Sequence, residues 1–125
     1  MKGIVARQSI VIQAPPVRVW KALTDPDMIR EYLFGTQVSS DWKAGSPIRY
    51  RGMWEGRTYE DKGTVIQAVP ERLLDTTFWS SLSGVPDTPE NYKRVIYQLE
   101  PEAGGTRLTV TQDNNATEEE RTLRS

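Results

Sequence analysis

The stretch Ile10 to Asp27, IVIQAPPVRVWKALTDPD, limits the fold more than any other part of the chain. Ile10, Val11 and Ile12 are β-branched and suit a pleated, half-buried surface. Pro15 and Pro16 end that strand, because proline has no N–H to give a sheet ladder. Proline is nevertheless tolerated in the first turn of a helix, where its missing N–H would be unpaired anyway. Val17, Trp20, Leu23 and Thr24 then recur at helical spacing as one stripe. Asp25 can cap the next helix through its side chain, with Pro26 at the first helical position. The chain therefore opens with a strand, a helix from about Pro16 to Leu23, and a second short helix from Pro26 to about Tyr32. Gly35 is the expected stop, since glycine accepts the left-handed conformation. A helix of about two turns cannot cover a sheet. The pair is expected to plug one end of a curved sheet, leaving the concave face for something else to cover.

Almost everything between Gln37 and Gln112 reads as strand. The first strand runs from Ile4 to Ile12, and Gln37 to Trp42 is a weak second. Pro47 to Trp54 alternates Ile48, Tyr50 and Trp54 against Arg49, Arg51 and Met53. Glu55-Gly56-Arg57 is a hairpin loop. The next strand spans Thr58 to Val69 and contains Gly63, a residue that in strands marks a bend, a bulge or a close backbone approach. Leu73 to Ser80, Tyr92 to Glu100 and Thr106 to Gln112 complete the series. Hairpin-sized connectors predict an antiparallel meander. The exception is Ser80 to Asn91, an irregular segment of a length that tends to be functional or mobile.

Composition removes several classes of function. The chain has 125 residues, so one domain over residues 1–125 is the expectation. It has no cysteine and no histidine, so disulfide, thiolate and imidazole chemistry are excluded. Sixteen basic residues nearly cancel seventeen acidic ones. With no basic stripe, nucleic acid is not an expected partner. No apolar run approaches the ~20 residues needed to span a membrane. MKGIVARQSIV is a poor signal peptide and a good strand, which suggests a cytoplasmic protein. No Gly-rich phosphate loop, nucleophile elbow or metal-spaced cluster occurs.

Thr117-Glu118-Glu119-Glu120 is a capping-box pattern with an acidic first turn. It announces a helix, yet Leu123 is the only large apolar residue after it. The expectation is that this helix continues past Ser125 and supplies the missing cover for the sheet.

Taken in order, these features resemble the START-like superfamily, also called SRPBCC, to which the birch pollen allergen is related. The motifs that carry the resemblance are Ala14-Pro15-Pro16 with Val19-Trp20, Leu23-Thr24-Asp25-Pro26, Lys62-Gly63-Thr64-Val65, Pro70-Glu71-Arg72-Leu73 and Gly104-Gly105-Thr106-Arg107-Leu108-Thr109. Within the superfamily they are most similar to bacterial homologues of the C-terminal domain of the heat-shock-protein-ninety ATPase activator. The resemblance implies an α+β helix-grip fold. Its curved antiparallel sheet would have six or seven strands, two short helices after strand 1 and a C-terminal helix, of which this sequence holds only the start. It also implies a cavity between sheet and closing helix.

By parity, Ile48, Tyr50, Trp54, Phe78, Tyr97 and Leu99 face that space, with Leu33 and Phe34 at its mouth. Packing alone would also place such residues inside. Tyr50 and Tyr97 carry hydroxyls that would orient a ligand or bond each other or the backbone. Trp20 and Leu23 belong to the core. Trp79 is opposite in parity to Phe78, and an exposed Trp suggests a partner surface. Arg49 and Arg51 are expected at the surface, paired with Glu55, Glu60 or Asp61. The resulting expectation is a protein that binds a hydrophobic small molecule, lipid-like or aromatic, without cofactor, metal or catalysis. The alternatives are a protein-interaction module acting with a chaperone and, further off, a cyclase-type enzyme. The enzyme would need a carboxylate in the cavity, and parity offers none.

Overall fold

The computed structural model describes residues 2–32 and 35–115. Strand β1 (Ile4–Ile12) leads through the Pro15-Pro16 break into α1 (Pro16–Thr24) and α2 (Pro26–Tyr32). Pro16 is the first residue of α1, where its ring costs nothing. Asp25 does cap α2: its Oδ1 accepts from the backbone N–H of Asp27 at 2.8 Å and of Met28 at 3.4 Å. Gly35 takes a φ of 88° and donates its N–H to Arg30 O at 2.9 Å, which ends the helical stretch.

The remaining strands are β2 (Gln37–Ser39), β3 (Pro47–Trp54), β4 (Arg57–Val69), β5 (Leu73–Phe78), β6 (Lys93–Glu102) and β7 (Gly105–Asn115). They form one seven-stranded sheet in the order β1-β7-β6-β5-β4-β3-β2. The meander expected from the hairpin spacings runs from β2 to β7, and β1 closes onto β7 from the far end of the chain. Strand β2 stops at Ser39, short of the expected Trp42. Trp42 holds a φ of 55°, a left-handed conformation that a ladder residue does not adopt.

The β4–β5 register shifts between Val65 and Gln67, and the two strands crowd each other at Gly63. Strands β4 and β5 pair from Val69↔Leu73 to Val65↔Thr76, and then again only at the bridge Lys62↔Trp79. Between these points the N–H of Thr64 turns to Thr77 Oγ1 at 3.0 Å. A Cβ on Gly63 would lie 1.8 Å from Thr77 O. Glycine is required here by close backbone approach, which is one of the three readings its place in a strand allows.

Two buried clusters fix the helix pair against the concave face. Ile29 of α2 joins Val38, Ile48, Val65 and Leu74. Val19 of α1 joins Leu99 and Leu108. Trp20 and Leu23 of the expected α1 stripe pack against both, whereas Val17 of that stripe is exposed and Val19 takes the buried place. Fully burying a side chain such as Ile48 or Leu99 contributes about 1.5–3 kcal/mol. The expected helix beginning near Thr117 lies outside the described residues. No helix among the described residues is long and apolar enough to cross a membrane.

Candidate functional site

Beyond the two clusters the described residues leave the concave face open. One cavity of about 860 Å³ lies between the helix pair and the sheet, lined by Val19, Ala22 and Leu23 of α1, Met28 and Ile29 of α2, and Trp42. A second, of about 420 Å³, continues toward β3 and β4 and is lined by Thr36, Tyr59, Asp61, Phe78, Val95 and Gln112. Tyr50, Thr76 and Tyr97 line both, so the two make one trough with a common middle. Each of the two volumes is in the range typical of small-molecule sites.

The expected site residues divide into three groups. Tyr50, Phe78 and Tyr97 line the trough. The Tyr50 and Phe78 rings meet edge to face, with centroids 5.7 Å apart and planes at 73°. The Tyr97 hydroxyl makes no hydrogen bond among the described residues, and burial pushes its phenol pKa up. Ile48 and Leu99, expected in the cavity, are instead packing residues, 0% and 2% exposed. Parity places them on the concave face correctly, but α2 lands over Ile48 and α1 over Leu99, and neither reaches the trough. Leu33 and Phe34 lie outside the described residues, as does the side chain of Trp54.

Sequence reasoning missed most of the polar lining. Strand β4 alternates Tyr59, Asp61, Gly63 and Val65 on the concave side against Glu60, Lys62 and Thr64. Asp61 was expected beside Glu60 as a partner for the surface arginines. Only Glu60 fills that role, accepting from Arg49 at 3.0 Å and Arg51 at 3.1 Å. Asp61 stands opposite Tyr50 in the β3–β4 register and turns inward. This also corrects the expectation that no carboxylate lines the cavity. Two donors hold Asp61 Oδ1, the Ser80 hydroxyl at 2.9 Å and the Ser81 N–H at 3.1 Å. Tyr59 lies across Gly52, its register partner, where a Cβ would be 2.6 Å from the phenol oxygen. That absence lets Tyr59 reach Thr36 Oγ1 at 2.6 Å.

The segment after β5 is irregular as expected, but it is tied down. Lys62 pairs with Asp87 and stands 5.8 Å over the Trp79 ring. The Tyr92 hydroxyl donates to Asp87 Oδ1 at 2.6 Å. Lys62 and Tyr92 together hold the Asp87 carboxyl below the usual range. Burial, and then the bond to Asp87, push the Tyr92 phenol up to about 12. Trp79, expected at a partner surface, donates its indole N–H to Val85 O at 3.2 Å and is engaged by its own loop.

A curved antiparallel sheet gripping two short helices over an aromatic trough defines the START-like, helix-grip class. The chain belongs to the family described as Activator of Hsp90 ATPase homolog 1-like protein, whose model matches residues 13–124. It is similar to ChR145 from Cytophaga hutchinsonii, known from a solution structure, at 46% identity and a TM-score of 0.84, covering 97% of this chain and 84% of that one. A Rhodobacter sphaeroides protein is 29% identical at a TM-score of 0.73, covering 97% of this chain and 80% of that one. Ara h 8.0201 shares the fold at 11% identity and a TM-score of 0.74, covering 91% of this chain and 80% of its own. Among curated proteins no match was found.

Proposed function

We propose that the chain binds a hydrophobic small molecule, lipid-like or aromatic, in the trough on the concave face. The observation that carries this reading is the Tyr97 phenol. It is a polar group in the middle of an apolar wall, shared by both cavities and left without a hydrogen-bond partner among the described residues. An unused donor in such a place matches the few orienting polar groups that distinguish a ligand pocket from a packed core. Tyr50 and Phe78 supply aromatic surface beside it, and Leu74 and Trp42 supply the apolar body of the wall. No catalytic step is proposed, because the chain has no histidine or cysteine to act with Asp61, the one carboxylate among the described residues that line the trough.

Heteronuclear NMR titration with a medium-chain alcohol and with an aromatic alcohol tests this. Shifts should concentrate at Tyr50, Leu74, Thr76 and Tyr97, and Tyr97→Ala should weaken the binding. Shifts confined to exposed convex residues such as Met53 and Ile66 would refute it. The family description favours a second reading, action on a chaperone ATPase through the exterior. That reading predicts co-purification with the chaperone and no effect of Tyr97→Ala.

A further inference from the structure

At the polar end of the trough the Thr36 and Tyr59 hydroxyls bond each other at 2.6 Å, and the charged group beside them is an acceptor, Asp61. Asp61 uses one oxygen, Oδ1, for both Ser80 and Ser81. Its Oδ2 carries no hydrogen bond among the described residues. No described lysine or arginine pairs with it. Arg49 and Arg51, which flank its register partner Tyr50, are committed to Glu60, and the adjoining Lys62 to Asp87. Thr76 spends its only hydroxyl proton on Val95 O at 2.8 Å, so it offers lone pairs to the cavity. Gln112 turns its amide nitrogen to Asn115 Oδ1 at 2.7 Å. Beside this acceptor set stand the rings of Tyr50 and Phe78, whose faces attract cations.

An anionic oxygen that lines a cavity with an unused lone pair is complementary to a donor, and most of all to a charged one. We propose that the trough selects an amphipathic amine. Its protonated nitrogen sits on Asp61 Oδ2, and its apolar body lies over Tyr50, Leu74 and Tyr97. The proposal rests on the trough being the ligand site, and adds the chemical class of the ligand and the residue that reads it.

Tryptamine, tryptophol and indoleacetate share one aromatic body and differ only in the head group. Calorimetry and heteronuclear NMR on the full chain should rank them in that order, with tryptamine about tenfold tighter than tryptophol. Asp61→Asn keeps an oxygen that can accept from Ser80 and Ser81. It should cut the tryptamine-to-tryptophol ratio to about two, with an otherwise wild-type spectrum. Tyr97→Ala should weaken all three probes in parallel and leave the ratio intact. Equal affinities in the wild type, or a preference that survives Asp61→Asn, would overturn the amine proposal while the trough reading stands. If none of the three shifts trough resonances at millimolar concentration, both readings fall.

Discussion

Gly63→Ala puts the close approach of β4 and β5 to a quantitative test. The new Cβ would sit 1.8 Å from Thr77 O and 2.8 Å from Thr77 C, both backbone atoms, where contacts under 3.0 Å are essentially never found. Strand β5 must then retreat by roughly 1 Å, the kind of overpacking that costs about 1–3 kcal/mol. The retreat also loosens the two bonds of the adjoining bridge, Lys62 N–H to Trp79 O at 3.0 Å and Trp79 N–H to Lys62 O at 2.8 Å. The Thr64 N–H to Thr77 Oγ1 bond is strained with them. At about 1 kcal/mol for each bond lost, the expected total is about 3–5 kcal/mol. For a domain of this size that lowers Tm by roughly 10–20 °C. Urea unfolding followed by tryptophan fluorescence measures the loss. Hydrogen exchange at Lys62 and Trp79 locates it, and Gly105→Ala, whose Cβ would meet Ile12 O at 2.0 Å, is the matched positive control. A loss under about 1 kcal/mol with the bridge amides still protected would refute the argument, since the strand would then have room for the methyl.

Three further outcomes are expected. Asp75→Ala removes a carboxylate with 7% side-chain exposure that takes two hydrogen bonds from Arg94, at 3.0 and 2.6 Å. Arg94 reaches solvent, so the loss in urea unfolding should be about 2 kcal/mol rather than that of a stranded buried charge. Glu60→Ala, at an exposed pair of arginines, should cost about 0–1 kcal/mol in the same assay. The fold raises the Tyr92 phenol from 10.0 to about 12, so it favours the protonated form. That contribution is complete below pH 10 and is lost as pH climbs from 10 to 12. The depressed Asp87 carboxyl contributes at any pH above 3.8 and fails only in stronger acid. Trp79 fluorescence should therefore hold steady between those limits and change in the alkaline one. Tyrosinate absorbance should show a late ionisation that Tyr92→Phe removes.

Features set by local chemistry were legible in the sequence, and features set by the landing of one element on another were not. Pro15-Pro16, the Asp25 cap and Gly35 act within a few residues of themselves, and the strand–helix–helix opening follows from them. The alternation of β3 likewise put Tyr50 on the concave side. Alternation assigns a face, however, and cannot say what presses on it. Ile48 and Leu99 share the face of Tyr50 and Tyr97, and only the positions of α1 and α2 decide which are covered. Asp61 was legible in principle, because it keeps step with Tyr59 and Val65. It was lost because its neighbour Glu60 has two arginines within reach and charge pairing was given precedence over parity. The roles of Trp42 and Trp79 depend on a left-handed backbone turn and on a loop folding back, and neither is encoded in periodicity.

The order of the sheet also governs how the chain comes into being. Strand β1 precedes the other described strands in the chain, yet among the described residues its strand partner is β7, with pairs such as Ile12↔Thr106 and Ala6↔Gln112. During synthesis Ile4–Ile12 waits unpaired until the last hairpin has emerged. Folding must join the most sequence-distant of the described strand pairs before that edge is satisfied, the kind of pairing that slows folding. Until then a β-branched edge stays open to strangers, and quality control on the nascent chain has its longest exposure there.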